Sequence, residues 1–98
     1  MAIAVEVSFH GAEATLDKYF EQIKLMGTDP EGAHPDPGCL FHWITSDQGG
    51  LRVTDVWKTR EEFDRFANEK IGPTSEQVGM PKPQIKFIEV DNFLTAGS

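Results

Sequence analysis

Cys39-Leu40-Phe41-His42-Trp43-Ile44-Thr45-Ser46, then Asp47-Gln48-Gly49-Gly50, then Leu51-Arg52-Val53-Thr54-Asp55-Val56-Trp57-Lys58 is the stretch whose reading decides the fold. Two runs rich in β-branched and aromatic residues flank four residues that supply the positive-φ positions of a tight turn, which predicts a β-hairpin. Pairing across the turn sets Ser46 opposite Leu51, Ile44 opposite Val53, His42 opposite Asp55 and Leu40 opposite Trp57. A slip of the turn by one residue moves the partners by two, so His42, Asp55 and Trp57 share a face in either register. Phe41, Trp43, Thr45, Thr54 and Val56 take the other.

Upstream, Ile3, Val5, Val7 and Phe9 alternate with Ala4, Glu6, Ser8 and His10, the period-two mark of a strand with one buried face. After Gly11 the period becomes helical. Leu16, Tyr19, Phe20, Ile23 and Met26 form a stripe opposite Asp17, Lys18, Glu21, Gln22 and Lys24, and Gly27 is the expected stop. Thr28 to Gly38 is a proline-rich loop, expected to carry the chain over the sheet edge or to serve the site.

Downstream, Thr59 and Glu62 have the spacing of a capping box for a second helix, with Phe63, Phe66, Ala67 and Ile71 on its apolar stripe. Gly72-Pro73 is expected to end that helix, and Thr74 to Gly79 to add a short helical turn. Gln84 to Leu94 reads as the last strand. The order strand, helix, strand, strand, helix, strand predicts one ferredoxin-like α+β domain over residues 1–98, with a four-stranded antiparallel sheet. Two helices cover one face. Both faces carry large apolar side chains, and the face holding His42 is expected to be the one a second copy covers.

Composition narrows the function classes. Nine basic against sixteen acidic residues give a net charge of −7, and the basic residues are scattered, which argues against nucleic acid as a partner. Cys39 is the only cysteine, so no intrachain disulfide forms. No apolar run approaches a membrane span, and no basic segment precedes an apolar one at the start. A cytoplasmic protein is expected.

The run Gly38-Cys39-Leu40-Phe41-His42-Trp43, the turn Gly49-Gly50, and Val53-Thr54-Asp55-Val56-Trp57-Lys58-Thr59-Arg60-Glu61-Glu62-Phe63-Asp64-Arg65-Phe66 resemble the dimeric α+β barrel superfamily. More narrowly they are similar to small uncharacterised relatives of the antibiotic-biosynthesis monooxygenases. Ile71-Gly72-Pro73 and the terminal Phe87 to Leu94 fit the same pattern. The resemblance implies a homodimer of ferredoxin-like subunits with a small pocket in each. It also implies either a cofactor-free oxygenase for a small aromatic or polyketide-like molecule, or a haem degrader. The only asparagines are Asn68 and Asn92, neither on the first strand, and the second helix lacks a histidine, which departs from the haem-degrading pattern.

His42 beside Asp55 is the sharpest constellation. A carboxylate across the strand fixes the tautomer of the imidazole and stabilises the charge it gains on taking a phenolic proton. The same pair also reads as a satisfied polar contact at a subunit interface. Trp57 is the expected wall for an aromatic substrate, and Leu40, Ile44, Val53 and His10 complete the expected substrate-binding set. No metal or cofactor site is expected, since His10, His34 and His42 lack the short spacings of a metal motif, and His34 is expected in solvent. Cys39 reads as a small hydrophobe, and Trp43, Phe63 and Phe66 as core. The rival reading is a non-catalytic dimeric module that binds a hydrophobic ligand or a protein partner.

Overall fold

The computed structural model describes residues 2–28, 32, 34–47 and 49–93, apart from the side chain at position 47. Its elements are β1 (Ile3–His10), α1 (Leu16–Leu25), β2 (Cys39–Asp47), β3 (Gly50–Trp57), α2 (Arg60–Phe66), a π-helical turn (Ala67–Ile71), α3 (Gly72–Val78) and β4 (Gln84–Glu89). The four strands form one antiparallel sheet in the order β2-β3-β1-β4, the expected ferredoxin-like arrangement. No helix among the described residues is long and apolar enough to cross a membrane.

Local signals set most boundaries. The Thr15 hydroxyl accepts from Lys18 N–H at the start of α1, and Thr59 accepts from Glu62 N–H at the start of α2. Gly27, at φ 80°, stops α1. Gly50, at φ 137°, opens β3 where a Cβ would collide with the carbonyl oxygen of Phe9, so the turn needs glycine twice over. Gln48 of that turn and Leu94 of the expected last strand lie outside the described residues.

Two boundaries depart from expectation. Gly72-Pro73 does not end the second helix. Pro73 has no N–H to give, and the chain absorbs it by widening: Gly72 N–H bonds to Ala67 carbonyl, five residues back, before α3 resumes. The last strand ends at Glu89, although Val90 N–H still reaches Ala2 carbonyl at 3.2 Å.

The larger correction concerns the faces. Val5, Val7 and Phe9 pair with Asp55, Val53 and Leu51, and all six are buried under the helices with Trp57. The face holding His42, Asp55 and Trp57 is therefore the helix-covered face, not the open one. Trp43, expected in the core, is 50% exposed on the open face. Hairpin alternation cannot say which of two apolar faces the helices take; the β1–β3 register does, and it pairs residues 40 or more positions apart. On α1, Gln22 was expected on the polar side but is buried, while Phe20 of the expected stripe is exposed.

Candidate active site

The β2–β3 register places His42 opposite Asp55 and Ile44 opposite Val53, as the sequence predicts. Past His42 a β-bulge intervenes: Cys39, not Leu40, faces Trp57, and Leu40 is the extra residue. The bulge turns Leu40 into the wall of a cavity of about 460 Å³ between sheet, α1 and the proline-rich loop, within the range of small-molecule sites.

Four side chains form one hydrogen-bonded line that runs from the core to that cavity. The Trp57 Nε1–H donates to Asp55 Oδ2 at 3.1 Å. Asp55 Oδ1 lies 2.6 Å from His42 Nδ1, and His42 Nε2 lies 2.7 Å from the Tyr19 hydroxyl. An ionised carboxylate only accepts, so the neutral imidazole carries its proton on Nδ1, and Nε2 accepts from Tyr19. Asp55 is 2% exposed, whereas the His42 side chain keeps 28% of its surface accessible. The charge is buried and its partner reaches the cavity.

Tyr19 and His34 are the residues that the sequence reading missed. Burial, and then the negative charge of Asp55, push the Tyr19 hydroxyl up to about 12, so it stays a phenol through the physiological range. His34 is not in solvent: its ring packs 4.9 Å from Phe66 and 5.4 Å from both Trp57 and His42. Its Nδ1 accepts from Asp36 N–H at 3.1 Å, and the Asp36 carboxylate accepts from Gly38 N–H at 2.8 Å, which ties the loop end to β2. Burial holds His34 below the ordinary histidine value, so it is neutral in this apolar contact. A lone tyrosine on an apolar stripe was the available signal, since its buried hydroxyl requires a partner.

The remaining expected site residues divide. Leu40 and Val53 line the cavity. Trp57, fully buried, does not line it; its indole lies behind Asp55, where it orients the carboxylate and cannot stack on a ligand. Ile44 packs against the core outside the lining. His10 is exposed at the end of β1 on the opposite face, so the three histidines do not converge. Cys39 is half-buried, and burial with the nearby Asp55 charge pushes its thiol up to about 12, which leaves it an inert thiol.

One titration checks this electrostatic picture. Tyr19 is the only tyrosine, so the near-ultraviolet phenolate band reports it alone. The native protein should show half-ionisation near 12 and the urea-unfolded chain near the ordinary 10. Because the folded value is raised, the stability Tyr19 contributes is complete below about pH 10 and is lost as pH climbs toward 12. Native titration at the ordinary value would show that the hydroxyl is not buried against Asp55 and His42.

No family model matches the chain, and no curated protein matches it. Solved structures do. The protein Rv0793 from Mycobacterium tuberculosis superposes with a TM-score of 0.68 at 14% identity, covering 97% of this chain and 100% of that one. A structure assigned as an antibiotic biosynthesis monooxygenase from Chloroflexus aurantiacus gives 0.64 at 15% identity, covering 99% and 100%. The chain has the antibiotic biosynthesis monooxygenase fold. SnoaB, a cofactor-independent oxygenase from Streptomyces nogalater, shares that fold at a TM-score of 0.56 and 15% identity, over 95% and 94% of the two chains. The monooxygenase fold thus matches over essentially the whole chain, in line with the resemblance read from Gly38 onward. At these identities the likeness concerns architecture alone.

Proposed function

We propose that this protein is a cofactor-independent oxygenase for a small hydroxylated aromatic molecule, with His42 as the base. The observation that carries the reading is the unbroken line Trp57–Asp55–His42–Tyr19, whose last three members line the cavity. Similarity in fold to SnoaB supports the reaction class.

The line works as a proton relay. A substrate hydroxyl bound against Tyr19 gives its proton to the tyrosine oxygen as Tyr19 passes its own to His42 Nε2, so no free tyrosinate forms. Asp55 stabilises the imidazolium and Trp57 holds the carboxylate in place. The electron-rich phenolate carbon then reacts with dioxygen, the oxidant, and the peroxide anion takes the proton back from His42 through Tyr19 to give a ring hydroperoxide. Loss of water from that hydroperoxide leaves a quinone, so one phenol and one dioxygen yield one quinone and one water. The direct test is dioxygen uptake with a panel of anthrones, hydroquinones and naphthols. One dioxygen consumed per quinone, with one of its oxygen atoms found in the quinone by isotope labelling and no hydrogen peroxide released, supports the reading, and no uptake above the protein-free rate with any member sinks it.

A binding module is the second reading, because Tyr19 already occupies the histidine nitrogen a base needs. A working relay turns its ligand over with uptake of dioxygen, whereas a binder takes up ligand without turnover.

The open sheet face supports a homodimer. Trp43 (50% exposed) and Ile88 (43% exposed) stand on it, and Phe93 packs edge-on against Phe41 with ring centroids 5.8 Å apart. Exposed aromatic surface of this kind is the usual core of a self-complementary interface. Trp43→Glu places a charge there and should turn the wild-type dimer into a monomer in sedimentation velocity, with the fold intact by circular dichroism. A monomeric wild type would remove the proposal.

A further inference from the structure

Gln22 is 3% exposed and lines the cavity from α1, one turn beyond Tyr19. Its side chain is locked from behind. The amide Nε2 lies 2.7 Å from Ser75 Oγ, 3.1 Å from Thr74 Oγ1 and 3.3 Å from the Ile71 carbonyl. Those partners decide which end of the amide faces them. A carbonyl only accepts, and the Thr74 hydroxyl spends its proton on the Lys70 carbonyl at 2.6 Å, so both demand the NH₂.

The carbonyl Oε1 is what remains. It has no hydrogen-bond partner among the described residues, yet it is not among their sealed polar atoms, of which Thr28 Oγ1 is the one without a partner. A buried acceptor, fixed in position and left open to a cavity, is a recognition element for a donor.

We infer that Gln22 Oε1 reads a second hydrogen-bond donor on the ligand, so that the substrate is a fused aromatic with one hydroxyl at Tyr19–His42 and another hydroxyl or N–H at Gln22. The cavity wall also carries the apolar side chains of Phe9, Ile23, Met26 and Phe66. A flat ring system fits that surface, and a ligand with a single hydroxyl leaves Oε1 dry and unpaired. This inference rests on reading the cavity as an aromatic site, but it concerns binding and does not require turnover.

The test is calorimetric titration of wild type, Gln22→Met and Gln22→Asn with a naphthol, symmetrical naphthalenediols and the monomethyl ethers of those diols. At least one diol should bind wild type about tenfold or more tightly than both its ether and the naphthol. Gln22→Met should bind all three within about twofold, since the acceptor is gone. Gln22→Asn keeps the amide NH₂ but draws the carbonyl back by one methylene and should lose most of the preference, which decides the matter even if the methionine variant does not fold. Equal binding of diol and naphthol by wild type overturns the assignment of Gln22 alone, as does a preference that survives in Gln22→Met. Failure of every probe to bind overturns both this inference and the oxygenase reading. A diol preference with no dioxygen uptake overturns only the oxygenase.

Discussion

His42→Ala should lower turnover of any phenol the protein oxidises by about 10²–10⁴-fold, with the fold retained at reduced stability because the buried Asp55 loses a partner. The expectation follows from what the alanine removes. In the wild type the imidazole bridges a buried carboxylate on one side and a phenol on the other, at 2.6 and 2.7 Å. Without it nothing links Tyr19 to the Asp55 carboxylate, and Tyr19, pushed up to about 12 and so still a phenol, has no acceptor for its own proton when it takes one from the substrate. Tyr19→Phe should fall nearly as far if protons pass through the tyrosine oxygen. Stopped-flow absorbance of quinone formation, with circular dichroism as the folding control, measures both. Activity within a few-fold of wild type in His42→Ala would end the case for a base at this position.

Trp57→Ala should cost about 3–5 kcal/mol of stability, measured by urea unfolding at pH 7. Trp57 is fully buried, and its indole packs 5.3 Å from Phe66, 5.7 Å from Phe63 and 5.4 Å from His34. Removing it opens a cavity where α2 and the loop meet the sheet, and the loss is a large fraction of the margin of a small domain. The substitution also strands a charge. Asp55 Oδ2 receives the indole N–H, and a buried carboxylate oxygen without a donor adds to the loss. Trp57→Phe separates the two effects: it refills most of the volume but not the hydrogen bond, and about 1–3 kcal/mol should remain. A phenylalanine variant as stable as wild type would show that the indole N–H contributes nothing to holding Asp55.

Local information determined the strands, the caps and the contact between His42 and Asp55. A hairpin's partners lie within a few residues of its turn, so period-two alternation and two glycines suffice to set them. The same reasoning failed one step further on, at Leu40, because a bulge is an adjustment to strand twist that alternation does not encode. It failed at Pro73 for a related reason. A proline usually closes a helix, but here a π-helical turn accommodates it and delivers the Ile71 carbonyl to Gln22.

Tertiary structure alone decided which face of the hairpin is the inside. In the stretch Cys39 to Lys58, His42, Asp55 and Trp57 share a face whatever the turn does, and the sequence by itself determined that much. Whether that face meets helices or a second copy depends on the pairing of β3 with β1, a long-range choice driven by burying Val5, Val7 and Phe9 together with Val53 and Trp57. Packing α1 over that face then brought the hydroxyl of Tyr19 to His42 and the amide of Gln22 to the cavity. Helical periodicity had assigned one to an apolar stripe and the other to solvent. Periodicity sorts side chains by average polarity, whereas a site is made where a polar atom is buried against a specific partner, and only the folded chain brings the partners together.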